Sequence, residues 1–481
     1  MNFSNLKALV TRKEFSNSAW NIADVIVLPF LMLLFTPFFI RKLGTDQYGI
    51  WMFVNSIIAG IGILNMGLGD ATIKFVSKYR SLEDPINLSR IVNAVFSLSL
   101  VFLIIFIVFG NGFAYILKSY NFFKLGKDEL LVTFSAIQLG SILFGFKHVE
   151  QVLLSVFKGF EKYDTSAKLS IVSKTVLILS QVTAVYLGYF LVEIFLVSSI
   201  VSFLMVVEEL LFIKSRYKGI SFIPSVKKFS IQEVFEFSSW SWIQSVLGVI
   251  AGHVDRLVVM TLAGPTFLAY YALASTVGSQ VHSVLTASVS WVFPKVSGKT
   301  ERNEDVNQLY YKMQLIIVVL GFTVFGILLT FENIIFKTWL GAETYSNSIL
   351  LIKIFLYLAL FNSLSIIPYY FMLGSNLIKL STLFMFLSLV LTIGFMILGY
   401  QFWSTTGLAY GKLISSMLSI PILIIFVHLK ILSQTKTNPG YSIYLPVILF
   451  TISIYMFNLI SIPVIIINIV LLIYLYKKIF Q

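Results

Sequence analysis

The segment GHVDRL, residues 252–257, lies between the apolar stretches SWIQSVLGVIA and VVMTLAG. It puts His253, Asp255 and Arg256 inside what reads as a membrane-spanning helix. Charged side chains at the centre of a spanning helix cost about 2.5–3.5 kcal/mol each on insertion scales, so they face protein or a water-filled cavity. Asp24, Lys147 with His148 and Glu150, Lys174, His282, Lys353 and Lys412 fall in similar apolar surroundings. An Arg offers a planar fork to a phosphate and a Lys a point charge. A carboxylate with no basic neighbour is a candidate proton carrier. With no cysteine and four histidines, thiolate chemistry is excluded and no nucleophile or metal-ligand constellation is visible. The residue types therefore point to binding an anion within the membrane, not to covalent catalysis. No cofactor is expected beyond a coupling ion, H+ or Na+.

The elements that must hold these side chains are long apolar helices. Hydrophobic residues make up 58% of the chain and charged residues 12%, about half the charged share of a soluble domain. Apolar runs recur along the whole chain, and many are long enough to span a bilayer core. The runs predict an all-α polytopic membrane protein with about fourteen helices. They lie near 19–40, 48–69, 91–112, 130–156, 168–187, 190–212, 238–262, 267–292, 310–332, 347–373, 378–400, 405–429, 441–460 and 462–476. The first run is too long for a signal-peptide core and reads as the first span. Lys and Arg concentrate in alternate loops, as in KSRYKGISFIPSVKK at 214–228, whereas the opposite loops hold Arg41, Lys42, Lys118, Lys124, Lys127 and Lys337. By the positive-inside rule both termini are expected in the cytoplasm. The net charge of +13 reflects this bias, so no nucleic-acid partner is expected.

The chain reads as duplicated. Sliding it so that Phe15 falls on Phe235 also lays Ser18, Trp20 and Gly44 on Ser238, Trp240 and Gly264. Two six-helix repeats are expected: an N-lobe over 1–213 and a C-lobe over 236–430, joined by a cytoplasmic linker at 214–235. Two further helices follow in 431–481. An even helix number per repeat makes the repeats parallel, related by an axis along the membrane normal, a plan shared by rocking transporters. Under this shift GHVDRL falls on the uncharged MLLFTP, residues 32–37, so the repeat itself does not demand the charges.

Depth along the helices places Arg256, Lys353 and Lys412 each roughly 9 Å below an outer end. Together with Lys147 and Lys174 they are expected to line a cationic cavity for an anionic substrate. No fully matching set of carboxylates is evident: the five cations face Asp24, Glu150, Asp255 and Glu193, and some of these charges are expected to pair internally. Each cation has a plainer reading. Arg256, Lys353 and Lys412 can snorkel to the interface. Lys147 and Glu150, spaced i, i+3, can form a structural pair. Asp255 can simply position Arg256. His253 and His282 can be packed side chains. Asp24 has no basic residue at i±3 or i±4, which makes it the candidate for proton or ion coupling, with a hydrogen bond to Asn21 or Asn55 as the alternative.

The stretch FSNSAWNIADVIVLPFLMLLFTPFFIRKLGTDQYGIWMF resembles the start of bacterial oligosaccharide flippases of the multidrug/oligosaccharidyl-lipid/polysaccharide exporter superfamily. NMGLGDATIKFVSKY, VDRLVVMTLAGPTFLAYYALASTVG and SVSWVFPKVS are similar to further elements of that group, and the resemblance covers about residues 10–430. It implies export of undecaprenyl-diphosphate-linked repeat units to the periplasmic leaflet of the inner membrane, for O-antigen or capsule. A polysaccharide polymerase and a chain-length regulator are the partners it implies. Asp24, Asp255 and Arg256 are the positions it carries over. A cation-coupled drug antiporter, an uncoupled lipid scramblase and a membrane glycan polymerase or ligase are the competing readings. The Lys/Arg excess argues against the first, and the short outer loops against the last.

Overall fold

The computed structural model describes residues 12–61, 68–217, 239–375 and 377–432. Every regular element among them is a helix. The predicted helices at 441–460 and 462–476, and nearly all of the 214–235 linker, lie outside the described residues. Eight described helices are long and apolar enough to cross a membrane, and the number fourteen is not established by them. The chain clusters into two compact units, Met1–Ala269 and Tyr270–Gln481.

The first unit starts with α1 (Arg12–Leu43) and α2 (Thr45–Ile61), separated by Gly44. Then come α3 (Leu68–Ser81), α4 (Pro85–Tyr120), α5 (Lys127–Gly159), α6 (Tyr163–Tyr186) and α7 (Leu191–Arg216). Helix α8 (Ser239–Ser288) breaks at Gly264, where φ is 77°, and so corresponds to the two expected helices on either side. The second unit continues with α9 (Val292–Glu301), α10 (Asn307–Thr330), α11 (Glu332–Leu340), α12 (Ala342–Ser363), α13 (Ile366–Gly374) and α14 (Ile378–Lys430).

Three helices were not foreseen as helices. Helices α3 and α9 are short and carry several Lys or Arg, so a search for apolar runs passes over them. Helix α11 occupies what read as an outer loop. The expected helix at 347–373 is two helices, α12 and α13, parted at Leu364–Ser365.

The internal repeat is visible in the backbone. Left-handed φ values recur at Gly44 and Gly264 (83° and 77°), Glu83 and Asn303 (51° and 52°), and Asn121 and Gly341 (41° and 83°). Each follows or interrupts a helix. The ends of α3 and α9, Ser81 and Glu301, keep the same offset in the chain as Gly44 and Gly264. A non-glycine residue with positive φ is uncommon, so chance recurrence at one fixed offset is a poor explanation. Thr266 donates a hydrogen bond to Asp46, its counterpart under the same shift.

Packing inside the first unit joins α3, α4, α5 and α7 through Phe75, Val92, Phe96, Phe106, Val152, Phe157 and Ile213, all buried. Small residues bring helices close. A Cβ on Gly140 would lie 2.1 Å from Ile58, and one on Gly110 would lie 1.7 Å from the Ser141 hydroxyl. Such contacts are how helices associate where lipid removes the hydrophobic drive between them. Large apolar side chains point outward instead, as at Ile104, Val108 and Phe109 on α4. In a soluble protein that surface would be a liability; here it suits contact with lipid.

Helix α14 folds back on itself at Trp403–Ser404, which confirms the expected pair at 378–400 and 405–429. Cross-hairpin bonds join Thr392 with Ser415 at 3.0 Å and Ser388 with Ser419 at 3.5 Å. Near the turn, a Cβ on Gly407 would sit 1.8 Å from the Gly399 carbonyl oxygen. The two arms therefore touch backbone to backbone.

Candidate functional site

The structure assigns most of the predicted cations to partners. On α5, Lys147 donates to Glu150 at 2.7 Å and to Ser173 of α6 at 3.0 Å. The i, i+3 pair foreseen from spacing is thus formed, and α6 completes it. Lys174, the next residue along α6, donates to the Asp24 carboxylate at 2.5 Å and to the Asp24 backbone carbonyl at 2.8 Å. The expectation of an Asp24 without a basic neighbour is corrected. Its cation comes from a helix far along the chain, because α1 packs along α6.

Arg256 and Asp255 lie on α8 before the Gly264 break. Asp255 is buried and accepts the backbone N–H of Arg256 at 2.8 Å. The Arg256 Nε is buried and has no hydrogen-bond partner, and the same is true of His253 Nδ1. Tyr48 lies within the electrostatic reach of Arg256. Its hydroxyl is 3.4 Å from that of Thr36, the residue that corresponds to Arg256 under the repeat shift. The repeat thus carries a hydroxyl where its second copy carries a guanidinium.

In the second unit, Lys353 on α12 bonds Glu332 at the start of α11 at 2.9 Å. Lys412 on α14 sits over the Phe355 ring, 5.6 Å from its centroid. The Thr286 hydroxyl donates to the His282 backbone carbonyl at 2.9 Å and lies 3.5 Å from the His282 ring Nδ1, and His428 packs edge-on against Tyr310 and Tyr311.

Some of these charges pair internally, as expected of the set that includes Glu150 and Asp24, and Glu332 adds a carboxylate that was not foreseen. Lys147, Lys174 and Lys353 each have a carboxylate at 2.5–2.9 Å. Glu209 and Glu332 were both missed. Glu332 falls at the end of the helix expected near 310–332, outside its apolar interior. Glu209, in VVEELLFIKSR, lies only a few residues from the predicted end of its helix at 212, which hid its depth. In the structure α7 runs on to Arg216 and Glu209 is 1% exposed. Among the described residues no group of three or more His, Asp or Glu side chains is placed to hold a metal ion.

The fold and the ion pairs among its helices define a polytopic all-helical membrane protein. Within that class, the chain belongs to the polysaccharide biosynthesis protein family, whose model matches residues 15–299. A Shigella flexneri protein named "Putative O-antigen transporter" is 22% identical over 367 residues, covering 73% of this chain and 83% of its own length. The fold is shared with solved structures. An inward-facing multidrug resistance MATE family transporter of the MOP superfamily matches with TM-score 0.71 and 13% identity, over 85% of this chain and 97% of its own. The lipid II flippase MurJ, in an inward closed conformation, matches with TM-score 0.70 and 15% identity, over 96% and 97%. These relatives are transporters and a flippase, not enzymes.

Proposed function

We propose that the protein flips lipid-linked oligosaccharide repeat units, carried on undecaprenyl diphosphate, across the bacterial inner membrane by alternating access, for O-antigen or capsular polysaccharide assembly. Both termini are cytoplasmic in this reading, and a polymerase and a chain-length regulator act on its product. Family membership carries the class of substrate. The observation that carries the mode of recognition is Arg256, a half-buried side chain whose Nε is buried and has no hydrogen-bond partner. A diphosphate supplies the acceptors such a group lacks, and a guanidinium engages phosphate through two parallel N–H donors.

Lys412, Lys353, Lys147 and Lys174 are the further substrate cations in this reading. Lys147, Lys174 and Lys353 reach a phosphate only by releasing the carboxylates that hold them. Asp255 fixes the backbone of Arg256 and so its starting direction. Glu150 positions Lys147. Asp24, bound to Lys174, is the coupling carboxylate for H+ or Na+, and substrate competes with it for the ammonium.

The test is complementation of a gene deletion with point variants. Arg256→Gln is expected to abolish or strongly reduce surface glycan at normal protein level, and Arg256→Lys to restore part of it. Normal glycan in Arg256→Gln overturns the phosphate role. A second reading, a cation-coupled drug antiporter, is favoured by the carboxylates the structure adds. Drug resistance that depends on Asp24, with no change in surface glycan, selects it.

A further inference from the structure

We propose that Glu209, with Glu150 and Lys147, forms a proton-binding site inside the first unit, separate from the Asp24–Lys174 pair. Glu209 is on α7 and Glu150 on α5, two helices that pack extensively against each other. Glu209 is 1% exposed and Glu150 4%. Both carboxyl oxygens of Glu209 are buried and neither has a hydrogen-bond partner. The great majority of buried polar groups in proteins are satisfied, so two orphaned oxygens on one carboxyl need an explanation.

Charge counting supplies one. The charged groups whose fields reach Glu209 are Lys147 and Glu150 on α5, and Glu208 on its own helix. Glu208 is not among the buried side chains. The cluster thus holds two buried carboxyls and one ammonium on a half-buried side chain, and Lys147 already spends bonds on Glu150 and on Ser173 of α6. Fully ionised, it leaves one uncompensated negative charge in an apolar bundle, which is strongly unfavourable. One proton on either carboxyl brings the cluster to neutrality. His148 does not supply it, because its ring stands edge-on to Phe102 and Phe106 and both its nitrogens lack partners. Ser202 lies two helical turns earlier on the same face of α7, buried and also without a partner. It stands about 10 Å from Glu209 along the helix.

Uptake is simple in its balance. A hydronium ion gives its proton to a carboxylate oxygen and leaves as water, and release reverses this. The cluster then alternates between a net charge of zero and minus one. In the transport reading this change is a means of coupling to a proton gradient, and only that purpose rests on the proposed function. Proton binding itself is measured without transport.

The experiment is an infrared difference titration of the purified full-length protein in lipid nanodiscs. The carbonyl-stretch band of a protonated carboxyl is expected to rise on acidification, to be lost in Glu209→Gln, and to remain in Asp24→Asn. A band undiminished in Glu209→Gln overturns the proposal. So does a titration displaced by sodium but not by choline, which makes the ligand a metal cation. A second measurement needs no variant. Dicyclohexylcarbodiimide, which enters membranes and attacks protonated carboxyls, is expected to label the α7 peptide containing Glu209 or the α5 peptide containing Glu150. Labelling is expected to fade in alkaline buffer. Labelling of other acidic peptides without these two sinks the proposal, whatever the surface-glycan assay shows.

Discussion

Removing either partner of the Lys174–Asp24 pair destabilises the fold, and removing both costs little more than removing one. Lys174 holds Asp24 by two bonds, and the two side chains are 25% and 15% exposed. Truncating one partner of a fully buried pair costs about 3–5 kcal/mol, because the survivor stays charged in apolar surroundings. Exposed pairs contribute about 0.2–1 kcal/mol. The residual exposure puts this pair between those limits, at about 2 kcal/mol for Asp24→Asn or Lys174→Met. That is roughly a 30-fold fall in the ratio of folded to unfolded protein. The double variant is expected to lose about the same amount, giving a coupling energy of about 2 kcal/mol, within the range for residues in contact. Reversible unfolding in mixed micelles, read by tryptophan fluorescence, measures all four proteins of the cycle. Additive losses, with coupling below about 0.5 kcal/mol, would refute the claim that these two charges hold each other. A gain in stability for Asp24→Asn alone would do the same.

Three further outcomes follow from the geometry. Gly407→Val forces apart the two arms of α14, where a Cβ would meet a backbone oxygen at 1.8 Å, and is expected to cut the yield of folded protein in size-exclusion chromatography. Gly394→Val, on the same helix with nothing within 4 Å, is the matched control and is expected to fold normally. Gly264→Ala places a Cβ at φ 77° and is expected to cost about 1–3 kcal/mol in the same micelle assay. Asp84 caps α4 through the Asn87 backbone and side chain, and these bonds hold its carboxyl below its ordinary value of 3.8. A carboxyl lowered on folding stabilises above its unfolded value and loses that contribution as pH falls through the folded value. The stability gap between wild type and Asp84→Ala is therefore constant near neutrality and closes only below pH 3.8, which acid titration of both proteins checks.

The all-helical membrane fold was legible because composition and run length are local properties. A long apolar run has one favourable fate in a bilayer, a helix that satisfies its own backbone. The repeat was legible for a related reason. Gly44 and Gly264 mark chain reversals that need a positive φ, and such residues show in the sequence. Helices α3, α9 and α11 were not legible, since an amphipathic or short segment is helical only by virtue of what it lies against. Asn303 and Glu83 show the limit of the residue signal: neither is glycine, yet both take the left-handed turn their repeat position requires.

The sequence by itself determined most of the charged side chains inside the membrane, Glu209 excepted, and that Lys147 and Glu150 share a helix face. Spacing along one helix decides such neighbours. Only the tertiary structure decided the remaining partners. Lys174 meets Asp24 because helices distant in sequence are pressed together, Lys353 meets Glu332 across the turn between two consecutive helices, and Glu209 is enclosed within the electrostatic reach of Glu150. Coulomb energy depends on distance and surrounding polarity, not on position along the chain. Arg256 shows the same division. Its charge within an apolar run was visible at once, but the buried Nε without a hydrogen-bond partner was found only when its neighbours were in place.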